Sequence, residues 1–294
     1  MKRIRIATLL TCHNRKETTL ACLRALYAQE SCQELHIQVY LVDDGCSDGT
    51  GDAVQSQYPK AKVLRGNGNL FWNGGMRLAW AEAFKGDYDY YLWLNDDTML
   101  FPNAIRTLLD TSRVLRKQGG SEVIVSGSTR DPETDEHTYG GVVQPSSLNP
   151  MKFVLVEPGN DPRLCNTIHG NCVLIPNEVA HQVGNLSPDF LHGMGDFDYG
   201  LRAKTFGISC WIAPGYIGTC SAHKISGSHL DSTVSMRERL KKMHQPGGLP
   251  SIREWLVFTR RHAGWLWPVS WLRTCVRVCF PQLWLVLRGR QPEK

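Results

Sequence analysis

The chain has 294 residues, of which 42% are hydrophobic and 21% charged, a balance that provides a full apolar core and excludes a disordered or fibrous polypeptide. Its length suits one large domain with an appendage. The net charge of +5 conceals an asymmetry: from Ser235 onward twelve Lys/Arg stand against three Asp/Glu, so the tail carries +9 and the preceding body −4. A basic tail on an acidic body either attracts an anionic partner, lipid or nucleic acid, or forms a solvated face.

Strands and helices alternate from the start. Ile4 to Thr11 reads as a buried strand, followed by the loop Thr11-Cys12-His13-Asn14-Arg15 and a helix from Lys16 to Gln29 with Leu20, Leu23, Leu26 and Tyr27 at helical spacing. Ile37 to Val42 is a second strand, closed by Asp43-Asp44-Gly45. The turn Ser47-Asp48-Gly49-Thr50 leads into a short helix, with Ser47 or Asp48 as cap. Lys62 to Leu64 is a third strand, Asn73 to Phe84 a helix, and Tyr88 to Leu94 a fourth strand ending at Asn95-Asp96-Asp97. This repeat predicts an α/β fold, a mostly parallel sheet with helices on both faces. In such a sheet the acidic residues after the second and fourth strands lie on one edge and share a cleft.

The second half is less regular. Pro102 opens a helix to about Lys117, and Val123 to Val125 is a strand. Residues 131–162 are rich in Pro, Gly, Ser and Thr, with short strands at Thr138–Val143 and Lys152–Val156. Cys172 to Ile175 is a strand and Pro176 opens a short helix. Gly193-Met194-Gly195-Asp196 leads into a helix to about Phe206, and Ile208 to Ile212 is a strand. Thr219 to His223 ends in a loop. The organisation expected is one domain over 1–230, in two halves (1–100 and 101–230), with a basic, Trp-rich helical tail over 231–294. The ten cysteines form no CxxC pair and no zinc-spaced cluster, as for reduced thiols in a cytoplasmic protein. The charged start Met1-Lys2-Arg3 lacks a signal-peptide pattern, and no run of eighteen apolar residues predicts a spanning helix.

Two adjacent carboxylates at a strand end repel each other unless a cation or a shared proton relieves them. A hard divalent ion satisfies them, taking one or two carboxylates and completing its shell with substrate phosphates. Alone, Asp96-Asp97 reads equally as a surface turn.

Taken together, the ordered motifs are more specific. Val42-Asp43-Asp44-Gly45-Cys46-Ser47-Asp48-Gly49-Thr50, Gly68-Asn69-Leu70-Phe71-Trp72-Asn73-Gly74-Gly75-Met76-Arg77, Leu94-Asn95-Asp96-Asp97, Gly170-Asn171-Cys172 and Gly195-Asp196-Phe197-Asp198-Tyr199-Gly200-Leu201-Arg202 together resemble the family 2 glycosyltransferases, which have the GT-A nucleotide-sugar fold. The Gly-Asn-Leu-Phe-Trp form looks most like the rhamnosyltransferase-like branch that builds bacterial surface polysaccharides. The resemblance implies that Thr11, His13, Arg15 and Asp44 surround the nucleotide, and that Asn69, Trp72, Asn73 and Arg77 lie near the nucleotide-sugar. Asp97 would bind Mg2+ or Mn2+, and Asp96 the ribose or donor sugar; Asn95 replaces the usual first acid of the motif. Asp196 occupies the position of the catalytic base, with Gly195 in place of a neighbouring acid and Asp189 as a rival. An N-cap role for Asp196 is compatible with this one. His223 would complete the metal site, with His169, His192 and His229 as competitors. His192 would otherwise contact the acceptor. Asp198 would face the acceptor or support Arg202.

The resemblance thus implies an inverting, metal-dependent transfer from a UDP- or dTDP-sugar, rhamnose among the candidates, to a lipid-linked or polysaccharide acceptor. The alternatives are a sugar-phosphate nucleotidyltransferase, for which Cys12-His13-Asn14-Arg15 is a poor phosphate loop, and a non-catalytic membrane-associated scaffold. Five of the nine tryptophans lie in the tail, interleaved with arginine. That pattern suits an interfacial helix and predicts a peripheral protein at the cytoplasmic face of the inner membrane. The other reading of the tail is a hairpin packed on the domain or on a second chain. Nothing in the body resembles a nucleic-acid module, and the oligomeric state is open.

Overall fold

The computed structural model describes residues 3–30, 34–222, 235–244 and 250–279. Two compact units emerge: Met1–Val143 with Val154–Ala222, and Gln144–Phe153 with His223–Lys294. The first unit contains, in order, β1 (Ile4–Cys12), α1 (Lys16–Tyr27), β2 (Leu35–Asp43), α2 (Thr50–Gln57), β3 (Lys62–Arg65), α3 (Phe71–Ala83), β4 (Tyr90–Leu94), β5 (Met99–Leu100) and α4 (Ala104–Gly119). It continues with β6 (Ile124–Arg130), β7 (His137–Tyr139), β8 (Gly141–Val143), β9 (Val154–Leu155), β10 (Arg163–Cys165), β11 (Thr167–Ile168), β12 (Cys172–Pro176), α5 (Asn177–Val183), α6 (Gly195–Thr205) and β13 (Cys210–Thr219).

The main sheet runs β10-β13-β6-β12-β4-β1-β2-β3. Strands β4, β1, β2 and β3 are mutually parallel, while β12 enters antiparallel between β4 and β6. A second, three-stranded sheet has the order β11-β8-β9. The α/β fold with helices around a parallel sheet core is the one the sequence predicts.

Burial explains the apolar runs. A strand covered by helices on both faces needs apolar residues at consecutive positions, and Tyr91, Leu92, Trp93 and Leu94 of β4 are all fully buried. Alternate residues feed two cores. Leu92 and Leu94 join Leu20, Leu23 and Ile105 on one face. Tyr91 and Trp93 join Trp80 and Tyr199 on the other. The Trp80, Trp93 and Tyr199 rings lie 5.0–5.3 Å apart by centroid, so α3 and α6 pack together on that face of β4.

In parallel strands the carboxyl ends share an edge. Cys12 pairs with Asp43, and Leu9 of β1 with Trp93 of β4. The loops after β1, β2 and β4 therefore emerge together. The amino end of β12 joins them, because Cys172 pairs with Leu94 and the Asn95 N–H donates to the Asn171 carbonyl at 2.9 Å.

Three short strands, β5, β10 and β11, carry no periodic signal in the sequence. β13 runs past the expected end at Ile212, through Pro214 and Gly215 to Thr219; its register against β6 shifts between Ile212 and Tyr216, an irregularity that accommodates a proline without a ladder hydrogen bond.

The second unit holds α7 (Met236–His244), α8 (Ile252–His262), a 3-10 turn (Gly264–Leu266) and α9 (Trp267–Cys279). A complete capping box at Ser251 and Glu254 starts α8, and Pro268 sits in the first turn of α9, where its missing N–H costs nothing. The Phe153 and Phe258 rings meet at 6.4 Å.

Candidate active site

The loop after β1 delivers Arg15 to the acidic pair after β4. Its Nη1 donates to Asp97 Oδ2 at 2.7 Å and to Asp96 Oδ1 at 3.2 Å. One guanidinium nitrogen thus stands where two carboxylates require positive charge. Asp96 is buried and also accepts from Thr19 Oγ1 at 3.2 Å; burial, opposed by Arg15 and assisted by Asp97, pushes its pKa up to about 6. The Asp97 side chain is one-third exposed, and the Cys220 thiol, raised to about 12 chiefly by burial, donates to its Oδ1 at 3.5 Å. Asp97 is therefore the carboxylate that incoming ligands reach.

These groups fit a hard divalent cation. Their donors are carboxylate oxygens around a point already occupied by a cationic group. The described residues contain no cluster of three or more metal-ligating side chains. His223 and its competitor His229 lie outside the described residues.

Asp44 organises the next loop. Its carboxylate accepts the backbone N–H groups of Gly68, Leu70 and Phe71 at 2.8–3.0 Å, which caps α3 from a distance. Three of its roughly four acceptor positions are filled. His13 is exposed and its Nδ1 donates to the Asp44 carbonyl at 2.6 Å. Asn69 is exposed on the same loop. The Thr11 side chain lies against Gly75, where a Cβ would approach its Oγ1 to 2.2 Å. Phe71 and Asn14 both adopt positive φ, 51° in each case; such strain gathers where a site fixes the backbone.

Trp72 links the acidic motif to Asp196. Its Nε1 donates to Asn95 Oδ1 at 2.7 Å. Its ring stands edge-on to Trp93 at 6.0 Å. It also packs so closely on Gly170 that a Cβ there would lie 2.3 Å from the ring. The Gly170 N–H donates to Asp196 Oδ2 at 2.9 Å, and the Phe197 N–H to Oδ1 at 2.8 Å. Each carboxylate oxygen thus has one fixed donor and keeps a lone pair. Burial raises the Asp196 pKa, with the His169 imidazole and the two N–H groups pulling the other way. Met194, the residue before α6, is left-handed at φ 69°.

Several expected ligand contacts have other partners. Asn73 has no exposed surface; its Nδ2 donates to the Ser187 and Phe190 carbonyls at 2.9 and 2.6 Å. Arg77, one turn on, donates from Nε to the Leu186 carbonyl at 3.0 Å. Both hold the 185–190 segment. Asp198 is fully buried and pairs with Arg202 at 2.8 Å. Arg202 in turn donates to the Val183 and Asn185 carbonyls. Of the two roles read for Asp198, the geometry is that of support for Arg202. His192 is exposed, with its ring 6.2 Å from Phe71. The rival Asp189 accepts from Ser187 Oγ at 3.0 Å within its own turn.

Gly195 has a specific cause. A Cβ at that position would lie 1.9 Å from Asn73 Oδ1, so the neighbouring acid of the family motif has no room. The sequence carried no signal for Thr19, which bonds Asp96; His169 was expected only as a competitor for the metal, and Asn95 only as the replacement of an acid.

Loops from parallel strands converging on a carboxylate pair, with a backbone-fixed carboxylate nearby, are the arrangement of a glycosyltransferase of the GT-A type. The family model for glycosyl transferase family 2 matches residues 8–178, and the chain belongs to that family. It is similar to the N-acetylglucosaminyl-diphospho-decaprenol L-rhamnosyltransferase of Mycobacterium tuberculosis, in strains CDC 1551 / Oshkosh and ATCC 25618 / H37Rv. The identity is 24% over 277 residues, covering 84% of this chain and 83% of the relative. Among solved structures, a mannosyltransferase from Pyrobaculum calidifontis in complex with GDP-mannose and Mn2+ shares the fold. Its TM-score is 0.52 at 13% identity, covering 97% of this chain and 73% of that one.

Proposed function

We propose that this glycosyltransferase is inverting and metal-dependent, and that it moves rhamnose from a UDP- or dTDP-sugar to a lipid-linked saccharide at the cytoplasmic face of the membrane. The observation that carries the reading is the pairing of an accessible, cation-bridged Asp97 with a backbone-fixed Asp196 on the same sheet edge. Rhamnose and the lipid-linked acceptor rest on the activity named for the mycobacterial relative.

Asp97, with His223 as a second ligand, would hold Mg2+ or Mn2+, and the ion when bound supplies Lewis-acid stabilisation of the charge developing on the diphosphate. Arg15, half-exposed, turns from the carboxylates to the same diphosphate oxygens and adds a second positive charge. Thr11, His13, Asn69 and the last acceptor position of Asp44 orient the nucleotide. Asp96 accepts from a donor hydroxyl, and Trp72 walls the sugar. Asp196 takes the proton from the acceptor hydroxyl as that oxygen attacks the anomeric carbon from the face opposite the nucleotide. One base and one displacement give inversion. Asn73, Arg77 and Arg202 hold the 185–190 segment beside the acceptor, with His192 at its rim.

The test is a panel of UDP-, dTDP- and GDP-sugars with a lipid-linked acceptor, with and without Mg2+ or Mn2+. Release of nucleoside diphosphate that requires both cation and acceptor, with an inverted anomeric centre in the product, is the expected result. Equal release in chelator would refute the metal assignment, and retained configuration would refute the single base.

A further inference from the structure

The hairpin of α8 and α9 distributes its side chains unusually. Its buried positions include Thr259, Ala263, Ser270 and Thr274, which are small or hydroxylated. The hydroxyls of Thr259 and Thr274 donate within their own helices, to the carbonyls of Trp255 at 2.8 Å and Ser270 at 3.1 Å. Phe258 is buried on α8, but three larger apolar groups stay outside: Trp265 is 81% exposed, Val269 50% and Leu272 60%. Val269 and Leu272 recur at i and i+3 on α9 and form a stripe there, with Trp265 exposed on the 3-10 turn that leads into the helix. A helix that uses its apolar stripe to pack on its own protein buries it.

Charge frames the stripe. Arg273 is exposed beside Val269 and Leu272, and Arg253 and Arg260 are exposed at i and i+7 on α8. Residues 250–279 contain five arginines and one acid, Glu254, whose carboxylate is engaged in the capping box. Arg260 lies over the Trp267 ring at 5.4 Å. A cationic rim around an exposed apolar stripe and tryptophan is complementary to an anionic bilayer surface, where tryptophan favours the headgroup boundary. No helix among the described residues is long and apolar enough to cross a membrane, so this stripe lies along a surface.

We propose that the α8–α9 hairpin docks on anionic phospholipid, with Trp265, Val269 and Leu272 entering the headgroup–acyl boundary and Arg253, Arg260 and Arg273 meeting lipid phosphates. The inference rests on the membrane reading above and gives it a specific surface and lipid class. The full chain is co-sedimented with phosphatidylcholine vesicles with and without phosphatidylglycerol. Binding should rise with phosphatidylglycerol and fall with salt. Leu272→Asp should weaken it at least tenfold. Arg253→Gln with Arg260→Gln should weaken it about 25-fold, about fivefold per arginine, on anionic vesicles only. Donor turnover with a water-soluble acceptor should be unchanged in both variants, which separates this test from that of the activity itself. Vesicle binding that is absent in the wild type, or equal in Leu272→Asp, overturns the proposal. So does a wild-type dimer that Leu272→Asp converts to monomer without change in vesicle binding, because the stripe is then a contact between copies.

Discussion

Gly195→Ala adds one methyl group at the entrance of α6, and the structure gives its cost. The new Cβ would lie 1.9 Å from Asn73 Oδ1. Asn73 is fully buried and cannot yield without breaking its amide bonds to the Ser187 and Phe190 carbonyls. Each bond is worth about 1 kcal/mol, and a carbonyl left buried and unpaired costs about as much again. The helix preference of alanine over glycine returns at most about 1 kcal/mol. The net expectation is a destabilisation of about 2–3 kcal/mol, or about 5–10 °C in Tm for a domain of this size. Urea titration and thermal melting of the purified protein measure it. In an Asn73→Ala background the obstacle is gone, so the same substitution should cost less than about 0.5 kcal/mol and the two changes should be coupled by about 2 kcal/mol. A Gly195→Ala protein as stable as wild type, or an equal cost in both backgrounds, would refute the steric account. Gly195→Asp should fail in the same way. With Asn73 shortened, it should raise the Asp196 pKa further through like-charge repulsion.

Because Asp196 acts ionised and its pKa is raised, activity should fall with decreasing pH at a midpoint above the ordinary carboxylate value of about 4. His169→Gln, which removes an opposing charge, should move that midpoint higher in a pH–rate profile. Asp97→Ala should reduce kcat/KM by about 10²-fold or more and abolish its dependence on divalent cation, read by titrating Mn2+ against turnover; a variant that keeps its cation response would exclude Asp97 as ligand. Trp72→Phe keeps the ring but loses the bond to Asn95. It should lower kcat severalfold with little change in melting temperature, since one hydrogen bond contributes about 1 kcal/mol.

The architecture was legible because burial on both sheet faces writes itself as apolar runs, and because the ends of β2 and β4 were marked by carboxylates. Asp44, Asp96 and Asp97 stand at those marks, whereas Arg15 and Asp196 came from the family resemblance. What escaped is held by long-range bonds to backbone carbonyls, which leave no trace in residue type. Asn73 and Arg77 sit in the Gly-Asn-Leu-Phe-Trp stretch and so were expected at the donor, yet their partners are 109 to 117 residues away. Gly195 reads in the sequence as a lost acid and in the structure as the place filled by Asn73. Strands β5, β10 and β11, of two or three residues each, are too short for any periodicity to show.

The central claim is that Asp196 is the base of a donor site centred on Asp97. Asp196→Asn keeps the shape and can still accept the Gly170 N–H, but cannot take a proton. Its transfer rate with lipid-linked acceptor should fall by at least about 10²-fold, while calorimetric affinity for the nucleotide-sugar with Mn2+ stays within about twofold of wild type. Transfer at the wild-type rate would contradict the account.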